Sequence, residues 1–258
     1  MKRMLLFLLI VVLSGIAGFR CHHKKPPEPS VPVTSGTLQF EVETDVNGSK
    51  LVMNTGSYNN ANGDPFTVST LKYYISNITL KDSLGNIYKV PDSYYLINAS
   101  VSADTTLSIP NIPVNTYTEI GFSLGVDSLH NHSGSQPAAL NPGIAGDMFW
   151  LWSLGYKFLE FEGHSASSGS GTILFHISDD VNYKKWVMKS GTTNWTNIRI
   201  KDNASSKIKV KADFAEMFQT PVTVDFATMN NVSGGTDAQT ISNNYADMFS
   251  LSSIVNAP

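Results

Sequence analysis

Leu38-Gln39-Phe40-Glu41-Val42-Glu43-Thr44 decides the fold class. Leu38, Phe40 and Val42 fall on one side of an extended chain and Gln39, Glu41 and Glu43 on the other, the period-two pattern of a half-buried strand. Working outward, Asn47-Gly48 is a tight-turn dipeptide, and Leu51-Val52-Met53 opens a next strand. Leu71, Tyr73 and Ile75 repeat the alternation, residues 77–80 continue it, and Leu84-Gly85-Asn86 turns the chain into residues 87–90. The same signals predict strands over 93–98, 105–109, 118–124, 149–162, 172–177, 196–201, 207–212 and 222–226. Many short strands separated by Gly, Asn, Asp and Pro predict an all-β fold, an antiparallel β-sandwich with Greek-key-like connections. Two helical pieces interrupt the pattern. Asp213-Phe214-Ala215-Glu216 resembles a capping box whose helix must end before Pro221. Residues 236–251 place Ile241, Tyr245, Met248 and Phe249 at helical spacing, which predicts one short C-terminal helix lying on the sandwich.

The N-terminus sets the compartment. Lys2 and Arg3 precede an apolar run over 5–13, and Ser14, Gly15, Ala17 and Gly18 supply small residues for processing. That layout is a secretory signal over residues 1–20, too short for an ordinary transmembrane helix. Cys21 is the only cysteine of the 258 residues and stands where a bacterial lipoprotein carries its lipidated cysteine. The alternative is ordinary cleavage near Ala17, which leaves a free thiol. Residues 21–36 are polar and Pro-rich and read as a lipid-anchored flexible tether, and residues 37–255 as one domain. The expected location is outside the cytoplasm, as a periplasmic or outer-membrane lipoprotein that meets the membrane only through its anchor. Loss of residues 1–20 removes Lys2, Arg3 and Arg20 and takes the formal net charge from −3 to −6. A mildly acidic chain without basic clusters argues against a nucleic-acid partner.

Three stretches carry candidate chemistry. The polar loop 125–142 holds His130 and His132, a spacing that on a strand points both imidazoles one way and suits a metal; the alternative is two solvated loop histidines. Trp150 and Trp152 share one strand face, either as core or as the wall of a site. In Thr172-Ile173-Leu174-Phe175-His176-Ile177, His176 lies opposite an apolar face, so its imidazole is solvated, hydrogen-bonded or coordinated. Glu160 and Glu162 alternate on a strand, with nothing in the sequence to pair them as acid and base. No nucleophile elbow, phosphate-cradling glycine loop or His-Glu-x-x-His motif is present, and the chain is read as a protein without catalysis.

Five stretches occur in a familiar order: Leu71-Lys72-Tyr73-Tyr74-Ile75-Ser76-Asn77-Ile78-Thr79-Leu80, Tyr94-Tyr95-Leu96-Ile97, Gly121-Phe122-Ser123-Leu124-Gly125-Val126-Asp127, residues 148–158 with their Phe-Trp-x-Trp-x-x-Gly-Tyr core, and Phe175-His176-Ile177. Together they resemble the MbnP-like domain of methanobactin-associated periplasmic copper-binding proteins, in its Bacteroidetes-type lipoprotein branch, over about residues 37–226. The resemblance implies a β-sandwich that binds copper for storage, delivery or uptake. In that family two histidines and a tryptophan oxidised to kynurenine form the copper site, and a di-haem peroxidase-like enzyme is the partner that oxidises it. His176 matches the histidine after the tryptophan strand, and Trp150 and Trp152 match the tryptophan stretch. Ser76 stands where methanobactin-associated members carry a histidine, so His130 or His132 is the expected replacement ligand. The alternative is a sandwich module that has lost the metal and binds a protein or carbohydrate at the envelope.

Overall fold

The computed structural model describes residues 34–101, 105–134, 136–151 and 155–258; the expected signal segment, most of the expected tether with Cys21, and Trp152 lie outside them. The chain runs through a long strand β1 (Ser35–Val46), short strands β2 (Ser49–Lys50) and β3 (Tyr58–Asn59), and the longest strand, β4 (Pro65–Asp82). Strands β5 (Ile87–Lys89), β6 (Tyr94–Asn98), β7 (Thr106–Pro113) and β8 (Asn115–Leu124) follow. An insertion then carries the one-turn helices α1 (Ser128–Asn131) and α2 (Pro142–Ala145) and a small hairpin, β9 (Phe149–Trp150) with β10 (Gly155–Tyr156). After it come β11 (Leu159–His164), β12 (Thr172–Ile177), β13 (Lys184–Lys189), β14 (Ile198–Ile200) and β15 (Ser205–Asp213). The short β16 (Asn231–Val232), helix α3 (Gly235–Asn244) and β17 (Phe249–Val255) close the chain.

Two sheets form the sandwich. One runs β17-β15-β1-β2, with β7 also paired to β1; the other runs β13-β8-β4-β11-β12-β16, with β14 on β8 and β3, β5 and β6 on β4. The alternation that opens the chain is realised: Leu38, Phe40 and Val42 are buried while Gln39, Glu41 and Glu43 are half-buried on the outer face. Rings from the two sheets meet in the middle, Phe40 of β1 lying 5.2 Å from Phe122 of β8 and Phe122 lying 5.1 Å from Phe249 of β17. A second knot joins Phe66, Phe161, Phe175, Phe218 and Phe226 in edge and tilted contacts of 5.0–6.4 Å. Such edge-on geometry sets the positive ring edge against the negative face and adds to the area buried.

Several local expectations are corrected. Most pairing is antiparallel, but β1 runs parallel to β15 and β12 parallel to β16. Residues 51–53 are not a strand: the chain leaves the sheet after β2 and turns at residues 53–55. Residues 222–226 are not a strand: side chains of Asn244, Asn60 and Asp64 take the backbone groups of Val222, Val224 and Phe226 in place of a ladder. Asp213 accepts the N–H of Ala215 at 3.0 Å, but the turn it opens over Phe214–Phe218 is a 3-10 helix. The C-terminal helix stops at Asn244. Phe249 and Leu251 then alternate onto the core as part of β17, paired with β15, because a free sheet edge binds an alternating segment more fully than a helix end can.

Candidate metal corner

The expected single strand over 149–162 is three short ones, and the break creates the site. The insertion folds back over the outer face of the second sheet. Asn131 anchors it, accepting from the Tyr156 N–H at 2.9 Å and donating to Asp180 at 2.9 Å. Tyr74 of β4 packs edge-on to Tyr156 at 5.8 Å, and its hydroxyl donates to the Ala139 carbonyl at 3.1 Å. The insertion therefore has its own small core, made with residues of the sheet face that would otherwise be wet.

Under it lies a charged corner. Strand register sets Glu160 opposite His176 on one side and opposite Lys72 on the other. Glu162, two residues along, shares the outer face. His176 Nε2 lies 2.8 Å from Glu162 Oε1 and 3.5 Å from Glu160 Oε1. One ligand atom each from Glu160, Glu162 and His176 fall within 4.8 Å of one another. Glu160 is 2% exposed and Lys157 5%, and the Lys157 ammonium sits on Glu160 Oε1. Lys72 bridges Glu160 Oε2 at 3.2 Å and Asp147 at 2.6 Å. Burial would lower the Lys72 pKa, but the Asp147 hydrogen bond and the Glu160 charge outweigh it and raise the value. Asp147 is held low by the same bond, against the effect of its burial. Trp150 roofs the corner, its ring 5.9 Å from the His176 ring and 4.8 Å from Lys157 Nζ.

The other expected ligands are placed differently. His130 and His132 sit at α1 and its C-terminal end, not on a strand, and their rings have separate partners. His130 Nδ1 is 2.7 Å from the Tyr94 hydroxyl and 3.0 Å from Asp127, in a cluster with Asn77 that holds the Asp127 carboxyl well below its usual range against its desolvation. His132 Nε2 is 3.1 Å from Asp180. His132 and Trp150 line one cavity of about 540 Å³, whereas His130 lines another of about 410 Å³. Ser76 is fully buried and donates to the Gly125 carbonyl at 2.7 Å. The structure thus brings Trp150 against His176 and onto a cavity that His132 also lines, while Trp152 and Cys21 are outside the described residues. The acidic half of the corner was not foreseen as a ligand set. Its only sequence signal is two carboxylates at i and i+2, on the strand whose hairpin partner bears His176.

The fold and this corner can be set beside known proteins. The model of the MbnP family matches residues 35–242. The chain belongs to the MbnP family. Among solved structures, MbnP from Methylosinus trichosporium superposes with a TM-score of 0.53 at 14% identity, covering 81% of this chain and 88% of that one, a likeness of fold. No curated protein sequence matches the chain. Among the described residues no helix is long and apolar enough to cross a membrane. In this MbnP chain the corner's donors are one imidazole nitrogen and two carboxylates, with no thiolate, and Met148 is buried. A four-coordinate site with bonds near 2.1 Å has ligand–ligand edges of roughly 3.3–3.5 Å. The His176–Glu160 spacing of 3.5 Å matches that, whereas the His176–Glu162 spacing of 2.8 Å is a hydrogen bond that an ion would have to open by roughly 0.5 Å. Nitrogen and oxygen donors of this kind suit Cu(II) among copper's two common states.

Proposed function

We propose that the chain is an exported, lipid-anchored copper-binding protein that stores, delivers or takes up the metal and performs no catalysis. The observation that carries the reading is the convergence of His176, Glu160 and Glu162 under Trp150, in a chain of the MbnP family. His176 supplies the imidazole, Glu162 and Glu160 the oxygens, and Trp150 the roof that keeps water from the corner. His132, which lines the cavity that Trp150 also borders, is the proposed second histidine, and it would have to leave Asp180 to serve. His130 serves as a reserve ligand only if its Tyr94 and Asp127 bonds are given up. Trp152 belongs to the same tryptophan stretch and is proposed to border the site. Cys21 carries the anchor, and a di-haem peroxidase-like enzyme is the proposed partner. Bound copper polarises its ligands and can change oxidation state, which makes it a cargo needing a sheltered site.

Calorimetric titration with Cu(II) and Cu(I), beside His176→Ala, tests the reading. Submicromolar Cu(II) binding that weakens at least about tenfold in the variant is expected, the usual cost of losing one ligand or its support. Equal binding by the two proteins sinks the site. A second reading, a metal-free module binding a protein or carbohydrate at the envelope, is favoured by one observation: Lys157 and Lys72 already neutralise Glu160. Absence of binding by any form of the protein would select it. Mass spectrometry of the native protein tests the anchor, with acylated Cys21 expected at the mature N-terminus.

A further inference from the structure

We infer that Lys157 is an exchangeable internal counter-ion of the metal corner, seated on the oxygen a divalent cation would use and released toward solvent when that cation enters. The inference rests on the reading of the corner as a metal site. It starts from a shared atom. Glu160 Oε1 receives the Lys157 ammonium and also faces His176 Nε2 at 3.5 Å. A cation bonded to both His176 and Glu160 would have to occupy the space beside Oε1 that the ammonium now fills.

The two lysines of the corner are not equivalent. Lys72 is tied to Asp147 as well as to Glu160 Oε2, so it keeps a carboxylate partner whatever happens at Oε1. Lys157 has Glu160 as its only ion pair within 4 Å among the described residues, acts on Asp147 only from farther off, and sits over the Trp150 ring. Its backbone is fixed, N–H to the Met148 carbonyl at 2.8 Å, but four methylenes let the head group swing. The Trp150 ring over which the ammonium sits is half-buried and borders a cavity of about 540 Å³ that Lys157 does not line, so release requires the head group to swing past the ring.

Charge counting points the same way. With His176 neutral, the corner holds the carboxylates Asp147, Glu160 and Glu162 against the ammoniums Lys72 and Lys157, an excess of one negative charge. Replacing Lys157 by a dication leaves Lys72 plus two charges against three carboxylates, which is neutral. A monovalent ion in the same place leaves the excess. Asp147 and Glu162 are 58% and 29% exposed, so solvent screens part of this balance, and the remainder favours a divalent ion such as Cu(II) or Zn(II) over Cu(I). Lys157 then holds Glu160 Oε1 in the empty protein, as Lys72 holds Oε2, and raises the charge that an entering cation must supply.

The experiment uses the full protein. Lysine acylation read by mass spectrometry is compared with and without saturating Cu(II), and again with Zn(II). Labelling of Lys157 should rise several-fold with either ion while that of Lys72 stays unchanged. In titrations, Lys157→Met should bind Cu(II) about tenfold or more tightly than wild type, since a unit charge a few ångströms away is removed. Unchanged or reduced Lys157 labelling in metal-saturated wild type, or binding by Lys157→Met no tighter than wild type, overturns the inference while leaving the site in place. If His176→Ala binds like wild type, or neither wild type nor Lys157→Met binds, the metal reading itself has failed and the inference falls with it. Should Lys157→Met not fold, the wild-type labelling decides alone.

Discussion

Glu160 and Glu162 are two residues apart on one strand face, yet their environments differ by the width of the insertion above them. The Glu160 side chain is 3% exposed and bears two lysines, whereas that of Glu162 is 29% exposed and bears only His176. Glu160→Gln should therefore cost about 2–4 kcal/mol, because it leaves buried ammonium without its counter-charge. Glu162→Gln should cost less than about 1 kcal/mol, as a rim partner does. Urea melts of the two variants check the ordering. Asp64 offers a second test through pH. Burial would raise its pKa, but the Phe226 N–H and the Asn60, Ser167 and Asn62 side chains together lower it. A carboxylate with a depressed folded pKa stabilises above its unfolded value near 3.9 and loses that contribution as pH falls through the folded value. Asp64→Asn should then cost about 1–3 kcal/mol at neutral pH. The gap to wild type should close on acidification below about pH 4. Melts at several pH values would show it, and a gap independent of pH would contradict the assignment.

At the scale of elements, the junction of β4 and β11 is set by one glycine. The register shifts between Glu162 and Gly163, and a Cβ built on Gly163 would lie 1.9 Å from the Thr67 carbonyl oxygen. That oxygen is backbone and cannot step aside without moving β4, so Gly163→Ala should cost about 2–4 kcal/mol, seen as a lowered denaturation midpoint. Gly169, with open space around its Cβ position, is the control and should tolerate alanine. Which elements were legible follows from the same local logic. Strands such as β1 and β12 were read correctly because one face is core and the other wet, so alternation is written into their residues. The 249–255 strand was hidden because Tyr245, Met248 and Phe249 are buried for two different reasons, a helical turn before and a sheet edge after. The corner was half legible. His176 and Trp150 announce themselves by type, but the burial of Glu160 and Lys157 depends on an insertion closing over them. No spacing rule within either strand carries that information. His130 and His132 were read with a strand's geometry, and a single turn of α1 sends their rings to different carboxylates.

Across the whole molecule, charge is arranged in a ladder along the outer face of the β1–β15 pair. Glu41 meets Lys207 at 2.7 Å and Lys209 at 2.9 Å, Glu43 meets Lys209 at 3.7 Å, and Asp45 meets Lys211 at 3.3 Å. Apart from the buried Asp45 these groups are half-exposed at the rim, so Lys209→Ala should cost under about 1 kcal/mol, and most of that should vanish in molar salt. Thermal melts at low and high ionic strength test this. The parallel pairing beneath the ladder has a consequence in time as well as in energy. Glu41 and Lys207 are 166 positions apart, so β1 acquires its long neighbour only when four-fifths of the chain exists to supply it. A polypeptide emerging N-terminus first, from a ribosome or through a membrane channel, carries β1 as an unsatisfied edge for most of its synthesis or passage. Contacts of such separation slow folding and prolong exposure to mispairing. Closure of the β1–β15 pair is accordingly a late event, and the interval before β15 arrives is when a chaperone has the most to shield.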